Sequence, residues 1–91
     1  MISVQEARYE GEYRIWLKFN TGEVGTVDLS DIVAGYATAQ RLNNMEEFKR
    51  FFLDDWPTLV WPCGFDLSPE MLYERATGNS PVWVQNPTAV A

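Results

Sequence analysis

The 91-residue chain contains no histidine and one cysteine, Cys63. Without an imidazole there is no Ser-His-Asp or Cys-His catalysis, and the usual zinc ligand sets are missing. A lone cysteine cannot close a disulfide within the chain, so a secreted, cross-linked scaffold has no support. No apolar run approaches the ~20 residues of a membrane-spanning helix. The N-terminus, Met1-Ile2-Ser3-Val4-Gln5-Glu6, has neither the basic nor the apolar stretch of a signal peptide. A cytoplasmic protein with no membrane association is the resulting expectation. The six glycines are scattered among turns rather than gathered into a phosphate-binding loop, and no cofactor is expected.

Basic residues are scarce as well. Seven Lys and Arg against thirteen Asp and Glu give a net charge of -6. A surface of that sign repels phosphate backbones, which disfavours direct nucleic-acid binding; it suits solubility or a basic protein partner. What is present fits one globular domain. Hydrophobic residues at 46% and charged residues at 22% argue against disorder. A chain of this size buries somewhat more than ~60% of its unfolded surface, enough for one modest core without a metal or disulfide. Aromatics at 14%, with four Trp, are rich for so small a core, so some are expected at the surface.

Hydrophobic periodicity predicts a strand over Ile2–Tyr9, a turn at Glu10-Gly11-Glu12, and a second strand over Tyr13–Phe19. In that second strand Tyr13, Ile15, Leu17 and Phe19 share one face, and Arg14, Trp16 and Lys18 the other. Asn20-Thr21-Gly22-Glu23 reads as a hairpin loop, with Gly22 suited to a left-handed conformation. Val24–Leu29 returns as the third strand of an antiparallel meander. Ser30 is expected to cap a helical turn through Ala34, followed by a loop over Gly35–Gln40. Asn44 and Glu47 resemble a capping box at the head of a helix expected to run to Leu53, with Met45, Phe48 and Phe52 on one face and Glu46 reaching Arg50.

Thr58–Trp61 is a β-branched, apolar run bounded by prolines, readable as a short buried strand. Pro62-Cys63-Gly64 forms a turn and Phe65-Asp66-Leu67 a short paired segment. Ser68, with Pro69 at the first helical position, starts a helix that runs to Thr77 before Gly78. Trp61, Pro62, Gly64 and Pro69 are therefore structural elements of one turn. The fold class is α+β: a small antiparallel sheet, a three-stranded meander plus one or two short C-terminal strands, with two helices packed on one face. Residues 1–78 form this single domain. Residues 79–91 are a C-terminal extension in which Val82-Trp83-Val84, between Pro81 and Pro87, suits a short edge strand. Such a strand would pair with this molecule's own sheet or with a second copy to make a homodimer.

The run Val60-Trp61-Pro62-Cys63-Gly64-Phe65-Asp66-Leu67-Ser68-Pro69-Glu70 with Leu72-Tyr73 resembles the signature of domain-of-unknown-function family 2442, V-W-P-N-G-x-D-h-x-P-E/D-x-L-Y. Phe19-Asn20-Thr21-Gly22-Glu23, Val27-Asp28-Leu29 and Leu42-Asn43-Asn44 with Phe48 are similar to its other elements. Cys63 departs from the pattern, which usually has Asn there. The resemblance implies a prokaryotic or phage context. Some members carry a helix-turn-helix domain, for which these 91 residues leave no length. Many are encoded beside another small protein in pairs that look like toxin–antitoxin modules. It implies partner binding and supplies no catalytic residue.

The expected function is a non-enzymatic protein-interaction domain, antitoxin-like or regulatory, that binds one cognate protein partner. The alternative is an acidic inhibitor that mimics nucleic acid in a phage–host conflict, which needs carboxylates clustered on one face. Candidate partner-binding residues are Trp16, set between two cations on its strand face, Asp66 after the Gly64 turn, and Trp83 in the extension. Asp66 is also read as a brace for the last helix through backbone N–H groups. Asp54 and Asp55, adjacent at an expected helix end, do not make a convergent acid/base pair, and no base near Cys63 in sequence activates its thiol.

Overall fold

The computed structural model of the chain describes residues 1–55 and 57–78. Alternation in the first third becomes three strands, β1 (Val4–Gly11), β2 (Arg14–Phe19) and β3 (Val24–Asp28), in an antiparallel sheet ordered β1-β2-β3. Ile15, Leu17 and Phe19 of β2 are fully buried, with Val4 and Val27 from the flanking strands. Arg14, Trp16 and Lys18 point the other way, as a period of two requires. The β2–β3 turn places Gly22 at φ 90°, and its N–H donates to the Phe19 carbonyl at 2.9 Å.

Helix α1 (Ser30–Gly35) follows. Its cap differs from expectation, because the Ser30 N–H donates to Asp28 Oδ1 at 2.9 Å and Ser30 itself lies inside the helix. The stretch expected as loop forms a 3-10 helix, Ala37–Asn43, which buries Ala39 and Leu42. Two apolar residues three apart fit the three-residue turn of that helix.

Asn44 caps the next helix as its sequence suggests, Oδ1 accepting from the Glu46 N–H at 2.9 Å. Helix α2 is only Met45–Phe48, however, and does not run on to Leu53 as expected. Phe52 is 47% exposed and belongs to β4 (Phe52–Leu53), which pairs with β5 (Leu59–Val60) as a separate two-stranded sheet. The ion pairs shift accordingly: Glu46 meets Lys49 at 4.0 Å and Glu47 meets Arg50 at 3.9 Å, in place of Glu46 with Arg50.

The tryptophan-centred turn matches its sequence reading closely. Trp61 is 1% exposed. Its backbone N–H donates to the Phe65 carbonyl at 2.9 Å, while the Gly64 N–H donates to the Trp61 carbonyl at 2.8 Å. Gly64 sits at φ 96°, the left-handed residue that closes a three-residue hairpin loop. Val60 bridges Asp66, and the Leu67 N–H reaches the Leu59 carbonyl at 3.2 Å. Helix α3 (Pro69–Thr77) then starts on Ser68, whose Oγ accepts from the Met71 N–H at 3.2 Å, and ends on Gly78 at φ 77°. Ile32 and Val33 of α1, Phe48 of α2, and Leu72 and Tyr73 of α3 join Ile15 and Leu17 in one core, so the helices lie on a single face of the larger sheet.

Candidate functional site

With the helices on one face, the opposite face of the β1-β2-β3 sheet is open among the described residues. Register lines up its side chains in rows across the strands: Glu6, Lys18 and Val24; Arg8, Trp16 and Thr26; and Arg14 with Asp28. Trp16 is half-buried at the centre, with the Arg8 guanidinium 5.0 Å from its ring centroid. That cation–π contact runs across the strands, in addition to the cations two residues away along β2. Arg8 also meets Glu6 at 3.4 Å, and Arg14 meets Glu12 at 3.7 Å. Three of the seven cations therefore share this face with carboxylates of opposite sign. Val24 adds an apolar side chain that is 51% exposed.

The hydrogen-bond pattern decides which backbone groups of β3 face outward. The Phe19 N–H donates to the Glu23 carbonyl at 3.0 Å and the Leu29 N–H to the Tyr13 carbonyl at 2.9 Å. Bonded pairs thus fall on Glu23, Gly25, Val27 and Leu29, and the N–H and C=O groups of Val24, Thr26 and Asp28 point away from β2. Arg75 Nη1 donates to the Asp28 carbonyl at 3.2 Å. Val24 and Thr26 keep their outward groups unpaired among the described residues.

Helix α3 is held against β3 and the residues flanking it at three points. A Cβ on Gly25 would lie 2.3 Å from the Ala76 carbonyl oxygen, so only glycine permits this approach. The Tyr73 hydroxyl donates to Glu23 Oε1, and that hydrogen bond to a carboxylate raises the phenol above its ordinary pKa. Arg75 forks onto Asp31, Nη1 to Oδ1 at 3.0 Å and Nη2 to Oδ2 at 2.6 Å, which holds the Asp31 carboxyl below its ordinary range. The backbone N–H of Ser30 has the same effect on Asp28.

The remaining candidates lie elsewhere. Asp66 is exposed on the far side of the Trp61 turn and contributes through its bridge to Val60. The bracing expected of its carboxylate falls to others: Ser68 caps α3, and the buried Thr58 hydroxyl donates to the Leu67 carbonyl. Trp61, Pro62, Gly64 and Pro69 together build the turn and the head of α3. Asp54 lines a groove with Thr58, Asp66 and Ser68, whereas Asp55 lines another with Met1, Ile2 and Glu70, so the two carboxylates do not converge. Among the described residues no group of three or more His, Cys, Asp or Glu is placed to hold a metal. None of their helices is long and apolar enough to cross a membrane. Trp83 and the edge strand proposed for the extension lie outside the described residues.

Sequence reasoning missed Gly25, which sits inside β3 and not in a turn. An isolated glycine within an alternating strand is the available signal, since it marks close approach of another backbone.

The family model for DUF2442, described as a protein of unknown function, matches residues 4–78. The fold is also similar to the crystal structure of a candidate DNA-binding protein from Nitrosomonas europaea ATCC 19718, with a TM-score of 0.73 and 22% identity. The likeness covers 86% of this chain and 50% of that one, so this chain spans half the length of that protein. At that identity the likeness is one of fold. No curated protein matches the chain.

Proposed function

Because the chain belongs to the DUF2442 family, whose function is unknown, we propose its function from the surface it presents: a non-enzymatic protein-interaction domain, antitoxin-like or regulatory, that binds one cognate protein partner. The observation that carries this reading is Trp16, half-buried at the centre of a sheet face that no helix among the described residues covers. Tryptophan and arginine are the residues that most often dominate binding energy, and here Arg8 and Trp16 are in contact. The absence of histidine from the sequence supports a binding role over a catalytic one.

Nucleic-acid mimicry has less support, because it needs a face of one sign and this face mixes Arg8, Arg14 and Lys18 with Glu6 and Asp28. Direct DNA binding is the description of the Nitrosomonas protein, half of which has no counterpart in these 91 residues. The net charge of -6 weighs against it here.

The test is co-purification from the native host, identification of the captured protein, and titration of the purified pair. Trp16→Ala should weaken the complex at least tenfold, equivalent to ~1.4 kcal/mol. Unchanged affinity would remove the sheet face from the reading.

A further inference from the structure

The two edges of the larger sheet are not alike. Edge strands expose a row of hydrogen-bonding groups, and proteins blunt them with bulges, prolines, charges or a covering element. β1 is blunted in this way. Its register breaks between Val4 and Glu6 and again between Tyr9 and Gly11, and the Val4 N–H is taken by the Pro57 carbonyl at 2.9 Å. β3 has an unbroken register from Val24 to Asp28, and contains no proline and no lysine. At its far end the Asp28 carbonyl is taken by Arg75. What remains is a short template of two residues, Val24 and Thr26, each offering one donor and one acceptor outward.

We propose that the outer edge of β3 is a strand-addition site for an extended, basic segment of the partner protein. This rests on the interaction reading above and specifies how and with what chemistry the partner engages. The basic character follows from charge. Glu23 precedes the strand and Asp28 ends it, about 17 Å apart along the extended backbone and on opposite faces. Each carboxylate accepts a hydrogen bond, from the Tyr73 hydroxyl and the Ser30 N–H respectively, and has oxygen lone pairs left for a further donor. Of the cations beside the edge, Arg75 is committed to Asp31 in a bidentate pair and Arg14 meets Glu12, while Lys18 lies across from Val24 on β2. A segment adding here meets main-chain partners at Val24 and Thr26, an apolar contact on the exposed Val24 side chain, and a carboxylate at each end. Such pairing draws affinity from main-chain bonds and selectivity from side chains at alternate positions. The open face with Trp16 continues directly from this edge through the Arg8, Trp16 and Thr26 row, so one partner can use both.

The test follows amide exchange in the full chain with two probes, a ten-residue peptide of alternating lysine and valine and its counterpart with glutamate for lysine. The lysine peptide should slow exchange at Val24 and Thr26 at least fivefold and bind at least tenfold more tightly than the glutamate peptide. Thr26→Pro should abolish this protection at Val24. The Thr26 N–H makes no bond to β2, so proline there leaves the internal ladder intact; unchanged exchange at Leu17 and Val27 verifies that the sheet survives. Equal binding of the two peptides, or protection elsewhere on the sheet, overturns the proposal. So does exchange already slow in the free chain, whether it becomes fast on deleting residues 79–91, which assigns the edge to this chain's own extension, or on dilution, which assigns it to a second copy. With the cognate partner, a Thr26→Pro chain that binds normally beside a Trp16→Ala chain that does not overturns the edge proposal alone.

Discussion

The indole N–H of Trp61 donates to the Phe48 carbonyl at 2.8 Å, the acceptor that the Phe52 N–H would need for helix α2 to continue. The same side chain fills the core between Phe48 and Phe65, with ring centroids 5.8 Å away in each case. One residue therefore occupies a carbonyl at the end of a helix, anchors a hairpin and fills the centre of the domain.

Trp61→Ala should lower unfolding free energy by about 3–5 kcal/mol through the cavity it leaves. Trp61→Phe retains an aromatic ring but leaves the Phe48 carbonyl without its donor, at a cost of about 1–3 kcal/mol. Urea denaturation of both variants measures the two contributions, and a Phe variant as stable as the parent would show that the hydrogen bond is dispensable.

Gly25→Ala should destabilise by about 1–3 kcal/mol, because the added methyl meets the Ala76 backbone and α3 must shift. Gly35→Ala meets nothing within 4 Å and lies in α1, so it should be neutral or stabilising by up to about 1 kcal/mol. Gly64→Val should also destabilise, by about 1–3 kcal/mol, since its φ of 96° is strained for a β-branched residue. Thermal melts should place Gly35→Ala at or above the parent and the other two variants below it.

Asp31 is held below its ordinary pKa of 3.8, chiefly by the hydrogen bonds from Arg75. A carboxylate depressed in the folded state adds stability that is present above its unfolded pKa and is lost as pH falls through the folded value. The melting-temperature gap between the parent and Asp31→Asn should therefore be widest near neutral pH and narrow as pH falls below the unfolded value. A gap independent of pH would mean that the Asp31–Arg75 pair does not set it.

Trp16→Ala should change stability far less than Trp61→Ala, because the half-buried ring loses chiefly its Arg8 contact, worth about 0.5–1 kcal/mol. Raising salt should weaken the partner complex, since exposed charges are screened over about 8 Å at physiological ionic strength. Affinity unchanged between low and high salt would assign binding to apolar contact around Trp16 and not to charge.

Local chemistry made part of this architecture legible in the sequence. Ser68, Pro69 and Gly78 bracket α3 within one turn of its ends, and the structure follows them because capping needs no distant partner. Strict alternation placed Ile15, Leu17 and Phe19 on the core side and Trp16 opposite them. The helix expected to Leu53 failed for the converse reason. Its capping signal at Asn44 was sound, but the last turn tightens as the Arg50 N–H takes the Glu47 carbonyl, and Phe52 and Leu53 pair with Val60 and Leu59 of a distant strand.

Sequence alone determined the family, the α+β class, the two sides of β2 and the turn at Gly64, because each rests on residue type and short spacing. Tertiary structure decided what Trp16 meets across the sheet, why position 25 must be glycine, and which edge of the sheet keeps outward groups unpaired among the described residues. Those depend on how β1 bulges and where α3 lands, and both are set by packing between residues far apart in the chain.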